Sequence, residues 1–292
     1  MILQTLTLLR NINKALFISL ALFCCGLQMQ AQTMTEDEIM AKLNEASALD
    51  NAKKTAEALD AFLLIGKNME QQRTEVEHQI YVYCQAKACM CYETLNRYEE
   101  AYLLAKKLIA GNLTEKEKKD VGHLYAVNGY LYASSFMHGN NRQSVKARTI
   151  LEEIMPYADG KVKEYALPKI SESWFFEGAE YHLSQQYDKA LTCYQNALKG
   201  YLKLGKTKDE ISVLQHIAEI KGTLYDVAGS ENAYKQALVL AKQIGKTDVL
   251  MEILKELWNL GNRIGNVQQA QTYAASIDSL VDVTADLQST YT

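Results

Sequence analysis

Apolar and small residues recur along the chain at helical spacing. Trp174, Gly178 and Tyr181 fall at i, i+4 and i+7, which is one face of a helix. Ala190, Tyr194 and Ala197 repeat that spacing on a second segment. The polar stretch 184–188 between them predicts a short turn. The pattern therefore predicts two helices that cross closely. Gly178 removes a side chain at the crossing, the alanines let the backbones approach, and the aromatics fill the remaining volume.

Weaker copies cover most of the chain. Upstream are Cys89, Tyr92, Ala101, Ala105 and Leu108; then come Tyr125, Gly129 and Tyr132. The next small residue, Ala147, arrives about six residues late, and the stretch 138–144 absorbs the insertion. Ala46, Ala58, Phe62 and Ile65 outline a degenerate first unit; Trp258, Gly265, Ala270 and Ala274 outline a last one. LeuGlyLysThr at 204–207 recurs as IleGlyLysThr at 244–247, and Tyr194 and Ala197 recur as Tyr234 and Ala237. Gly222 and Tyr225 come early for this forty-residue register, which predicts a shortened turn at Ala228–Ser230. The small anchors Ala58, Ala101, Ala147, Ala190, Ser230 and Ala270 lie 43, 46, 43, 40 and 40 residues apart. The two prolines, Pro156 and Pro168, are expected between helices. The fold class expected is all-α, an α-α superhelix of five or six helix pairs over residues 32–280, with a tail at 281–292.

The spacing W-x3-G-x2-Y-x8-A-x3-Y-x2-A, carried by Trp174, Gly178, Tyr181, Ala190, Tyr194 and Ala197, resembles the tetratricopeptide repeat (TPR), a helix–turn–helix unit. Glu177 departs from it, standing where an aliphatic residue is usual. The resemblance implies a stacked, non-enzymatic array that binds a protein or peptide. It also implies that the first helix of each pair lines a concave groove. Carried over by register, unit two presents Tyr83, Ala86, Met90, Glu93 and Thr94, and unit three His123, Ala126, Tyr130, Ala133 and Ser134. Unit four presents Glu172, Phe175, Ala179, His182 and Leu183. Aromatic, Met and His groups there suit an extended peptide or a helix. The Lys and Asn that clamp C-terminal carboxylates in some members are replaced by Ala86 and Met90.

Residues 1–31 have the form of a secretory signal. Arg10 and Lys14 precede the apolar run 15–27, and Met29–Ala31 offers a small-residue cleavage site. Cleavage would favour a periplasmic or secreted protein. An uncleaved anchor and a lipid on Cys24 or Cys25 are the alternatives, and they give the only expected membrane association. Phe23 before Cys24 is larger than the residue that usually precedes a lipidated cysteine. Removing the segment takes two of 31 basic residues and none of 35 acidic ones, so the remainder is more acidic than the chain's −4. That balance argues against nucleic acid as a partner. The remaining cysteines, Cys84, Cys89, Cys91 and Cys193, read as small core residues. The ending 277–292 resembles the close of the repeat array in membrane-spanning regulators, so a sensory ectodomain is the alternative role.

One catalytic-looking motif needs a different account. Gly200 to Thr207 matches the phosphate-loop pattern G-x4-G-K-[ST], but that chemistry needs a strand before the loop. Here the preceding residues have helical period. Gly205 and Gly245 read instead as left-handed helix caps, with Lys206 and Lys246 beside the negative helix ends. No nucleotide or other cofactor is expected. His78, His123, His138, His182 and His216 show neither H-E-x-x-H nor zinc spacing, so no metal is expected. The carboxylate pairs Glu99–Glu100, Glu115–Glu117 and Glu152–Glu153 read as solvated charge.

Overall fold

The computed structural model describes residues 34–71, 74–138 and 142–290, so the expected signal segment 1–31 lies outside the described residues. The described residues form twelve α-helices and no strand: α1 (Glu36–Asn51), α2 (Thr55–Asn68), α3 (Glu75–Thr94), α4 (Tyr98–Ile109), α5 (Glu115–Ser135), α6 (Ser144–Ile154), α7 (Gly160–Leu183), α8 (Tyr187–Leu204), α9 (Thr207–Thr223), α10 (Val227–Gln243), α11 (Thr247–Arg263) and α12 (Val267–Thr290). A single 3-10 turn, Met155–Tyr157, follows α6. None of these helices is long and apolar enough to cross a membrane.

Local signals start and stop the helices. Thr35, Thr74 and Thr114 each form a capping box with the glutamate three residues on, at the starts of α1, α3 and α5. Each box satisfies two backbone N–H groups that would otherwise lack partners. Helix ends share one backbone device. Lys53, Asn96, Gln185, Tyr225 and Gly265 all sit at φ between 58° and 71°, in the turns from the first to the second helix of the first, second, fourth, fifth and sixth pairs. The N–H of the following residue reaches back into the preceding helix, as in Lys54 to Leu49, Gln186 to Tyr181 and Asn266 to Gly261. This is the Schellman pattern, which satisfies carbonyls at the helix end. Gly205 and Gly245 do the same between pairs, in the left-handed conformation expected of them.

The six expected small anchors all lie on second helices and are all buried: Ala58, Ala101, Ala147, Ala190, Ser230 and Ala270. The close crossing is visible at Gly178, where a Cβ would stand 2.9 Å from the Tyr194 ring. In the fifth pair the Ser230 hydroxyl donates to the Ala218 carbonyl at 2.8 Å, and Gly222 lies beside it.

Two compact units result. The first holds the described residues up to His138 together with Ile150–Glu164; the second holds residues 142–149 and the described residues from Tyr165 on. In the first, Ala58, Phe62, Ile65, Tyr83 and Cys84 head a core built from α1 to α3. In the second, Tyr194, Val213, Ile220, Ala237 and Ile253 head a core running from α8 to α11.

Two local expectations fail. Pro168 lies inside α7 rather than between helices. Val162 and Ala166, buried at i and i+4, extend the helical stripe upstream of it, and that burial holds the helix across the missing N–H. The fifth unit's turn is Leu224–Asp226, and Ala228–Ser230 is already helical. Asp226 ends the turn by accepting a hydrogen bond from the Gly229 N–H at 2.9 Å.

Candidate functional site

Within the first unit, α3 and α5 pack side by side. They carry Met90, Glu93, His123 and Tyr130, all partly exposed. Burial pushes the Glu93 carboxyl above its ordinary range, and His123 nearby partly offsets this. His123 is also held by Asp159, with Nδ1 to Oδ1 at 3.1 Å. Tyr83 does not join this surface. It is 4% exposed and packs edge-on against Phe62, with centroids 6.2 Å apart. Tyr83 falls on the stripe of α3 that faces α2 and serves the core. Ala86, Ala126 and Ala133 are likewise buried.

Within the second unit, α7 and α9 meet through aromatic rings. Phe175 lies 5.4 Å from His216 and 5.6 Å from Tyr194. His216 stacks on Tyr194 at 5.3 Å with the planes 8° apart. His182 meets His216 edge-on at 6.1 Å and approaches Tyr187 at 5.9 Å. Glu219, one turn after His216, brings its carboxylate to 3.6 Å from the imidazole. Burial holds the His216 imidazolium below its ordinary range despite Glu219, and His182 adds to the lowering.

The pattern residues themselves divide by role. Gly178, Ala190, Tyr194 and Ala197 are buried, while Trp174 and Tyr181 are partly exposed at the edge of the same core. Glu177 has a partner: Arg148, itself 7% exposed, stands 2.7 Å away with its guanidinium over the Trp174 ring.

The repeat at the level of turns, anchors and crossings decides the architecture. The fold is a TPR-like helical repeat of six pairs. No protein-family model matches the chain, and no curated protein matches it significantly. Among solved structures, BtubC from P. vanneervenii is similar at 12% identity, with 86% of this chain and 93% of that one covered and a TM-score of 0.39. Aspartyl phosphate phosphatase F from Bacillus subtilis is similar at 11% identity, with 89% and 78% covered and a TM-score of 0.42. The C-terminal part of a TPR repeat-containing protein from Cytophaga hutchinsonii is similar at 12% identity, with 81% and 94% covered and a TM-score of 0.34.

Several polar residues of the TPR-like array have roles that periodicity did not show. Glu153 accepts from the Tyr102 hydroxyl at 2.8 Å and from the Tyr125 hydroxyl, and it pairs with Lys106 at 2.7 Å. Tyr102 and Tyr125 stack at 5.5 Å. Tyr132 donates to Glu99 at 2.6 Å, and that bond, after burial, pushes its phenol up to about 12. Glu100 pairs with Arg97, and Glu117 caps α5 while meeting His78 at 3.2 Å. These carboxylates are bonded within the fold rather than merely solvated.

All four described cysteines are buried and unbridged. Burial pushes the Cys84 thiol up to about 12 and those of Cys91 and Cys193 up to about 11, so none is a ready nucleophile. The segment 200–207 is a helix end, a left-handed Gly205 at φ 61° and the start of the next helix. The strand that a phosphate loop requires does not precede it.

Proposed function

We propose that the chain is an exported, non-enzymatic TPR-like scaffold that captures a protein or peptide on its first-helix faces. The observation that supports this most is the composition of those faces. Met90, His123 and Tyr130 in one unit, and Phe175, His182 and His216 in the other, are partly exposed although large, and all but Met90 carry aromatic rings. Such side chains give adaptable apolar contact with little rotamer ordering, which suits recognition of an extended or helical segment. The leader-like residues 1–31 support export to the periplasm, with an anchor or lipid there as the membrane alternative. The closing residues 277–292, similar to the end of repeat arrays in membrane-spanning regulators, support a second reading as a sensory ectodomain. That role would use the same faces.

The test is a pull-down from envelope extract with the Tyr130→Ala/Phe175→Ala variant beside the wild-type chain. The variant should lose the captured partner while its far-UV circular dichroism is unchanged. Capture that survives the double change would point to the opposite faces.

A further inference from the structure

We propose that His182, His216 and Glu219 form a binding site for a divalent first-row transition metal, with Zn2+ as the test ion. The ligand atoms of all three residues lie within 4.8 Å of one another. His182 comes from the last turn of α7, while His216 and Glu219 sit one turn apart on α9. Two ligands bonded to zinc at 2.0–2.1 Å in tetrahedral geometry stand ~3.4 Å apart. His216 Nδ1 and Glu219 Oε2 are already 3.6 Å apart. The third ligand, on partly exposed His182, has to close from no more than 4.8 Å to that distance.

The surroundings favour coordination over a plain ion pair. A helical His–Glu pair needs no third member, yet a second imidazole arrives from the preceding helix pair, 34 residues earlier. Two imidazoles at this range repel when protonated, whereas as neutral rings each offers a lone pair to one cation. His216 is also fixed in orientation by Tyr194 on its face and Phe175 beside it. Fixed ring orientation is what supporting groups supply around bound metals. Glu219 is 57% exposed, so the ion has an entry path and a side open to water or to a donor from a bound chain. Two imidazoles and one carboxylate suit zinc, copper, nickel or cobalt rather than calcium or magnesium. The inference does not depend on peptide capture, since metal binding is measured without a partner.

The experiment is calorimetric titration of the metal-stripped full chain with Zn2+, with Co2+ visible absorption as a geometry readout. The wild type should bind one equivalent saturably and give Co2+ bands of low coordination number. His182→Gln, His216→Gln and Glu219→Gln should each weaken binding by at least about 10-fold, the lower end of the loss on removing groups that merely orient ligands. Absence of saturable binding overturns the proposal. So does unchanged binding in the His182→Gln/His216→Gln variant, because the metal would then sit at His78 with Glu117, at His123 with Asp159, or elsewhere. If either histidine variant loses its helicity, exposed Glu219→Gln decides alone: weaker Zn2+ binding supports the site, and unchanged binding overturns it.

Discussion

Arg148 and Glu177 form a buried ion pair, Nη2 to Oε2 at 2.7 Å, with the guanidinium carbon 3.3 Å from the centre of the Trp174 ring. Their side chains are 9% and 12% exposed. Glu177 is the residue that departs from the aliphatic usual at its position, and Arg148 explains how the departure is tolerated. Removing one partner leaves the other charge buried and unpaired. Arg148→Ala should therefore cost about 3–5 kcal/mol. Replacing both charges, as in Arg148→Met/Glu177→Leu, should return stability close to that of the parent chain, since apolar groups of similar volume often substitute for such pairs. Urea unfolding of the three chains checks this. Equal losses in single and double variants would contradict it.

The helix crossing at Gly178 has no room for a methyl group. A Cβ there meets two Tyr194 ring carbons at 2.9 Å and the Cys193 Cβ at 3.2 Å. Gly178→Ala should lower stability by about 1–3 kcal/mol through overpacking, despite alanine's better helix propensity. Ala190→Leu on the facing helix should act in the same direction. Thermal unfolding followed by circular dichroism reads both.

The Tyr194 hydroxyl is buried and makes no hydrogen bond among the described residues. The ring, not the hydroxyl, fills the crossing. Tyr194→Phe should be neutral or stabilising, because it removes a desolvated polar group without a cavity. A loss of more than about 1 kcal/mol, the scale of an ordinary hydrogen bond, would show that the hydroxyl has a partner.

Tyr225 holds φ 61° in the turn between α9 and α10 and is 87% exposed, so its side chain contributes little packing. Gly265 occupies the matching position forty residues on. Tyr225→Gly should raise stability by about 0.5–1 kcal/mol, the left-handed cost for a bulky residue less glycine's greater unfolded entropy. A decrease in the urea midpoint would contradict the assignment of strain.

Acid should weaken the first unit through Glu153. Burial raises its pKa, but Lys106, Tyr125 and Tyr102 together outweigh burial and hold it below the ordinary carboxylate range. A depressed folded pKa contributes stability that is full above the unfolded value, about 4.3. That stability is lost as pH falls through the folded value. Stability of the wild type should therefore decline over this acidic window, and Glu153→Gln should flatten the slope there. Denaturant midpoints measured at several pH values give the comparison.

Much of this architecture is legible in the chain because packing forces small residues into fixed register. Ala58, Ala101, Ala147, Ala190, Ser230 and Ala270 mark every second helix, and Gly178 marks a crossing. The capping boxes were equally legible as T-x-x-E at 35, 74 and 114, but they lie outside the apolar period. The shared left-handed turn was hidden because it is a backbone requirement, met by residues as different as Lys53, Asn96, Gln185 and Tyr225. Tyr83 shows the limit of carrying positions over by register, since a rotation of one residue about a helix separates core from surface. The clusters of Arg148 with Glu177, and of His182 with His216 and Glu219, join residues about thirty positions apart. No local spacing reveals them; only the stacking of helices does.

Site-specific photocrosslinking in living cells tests partner capture most directly. A benzophenone amino acid is placed at 130 or 175 on first helices, and at 103, 202 or 239, where exposed apolar residues lie on second helices. The account predicts a discrete partner adduct from 130 and 175 and none from the other three positions. Adducts confined to 103, 202 or 239 would contradict it.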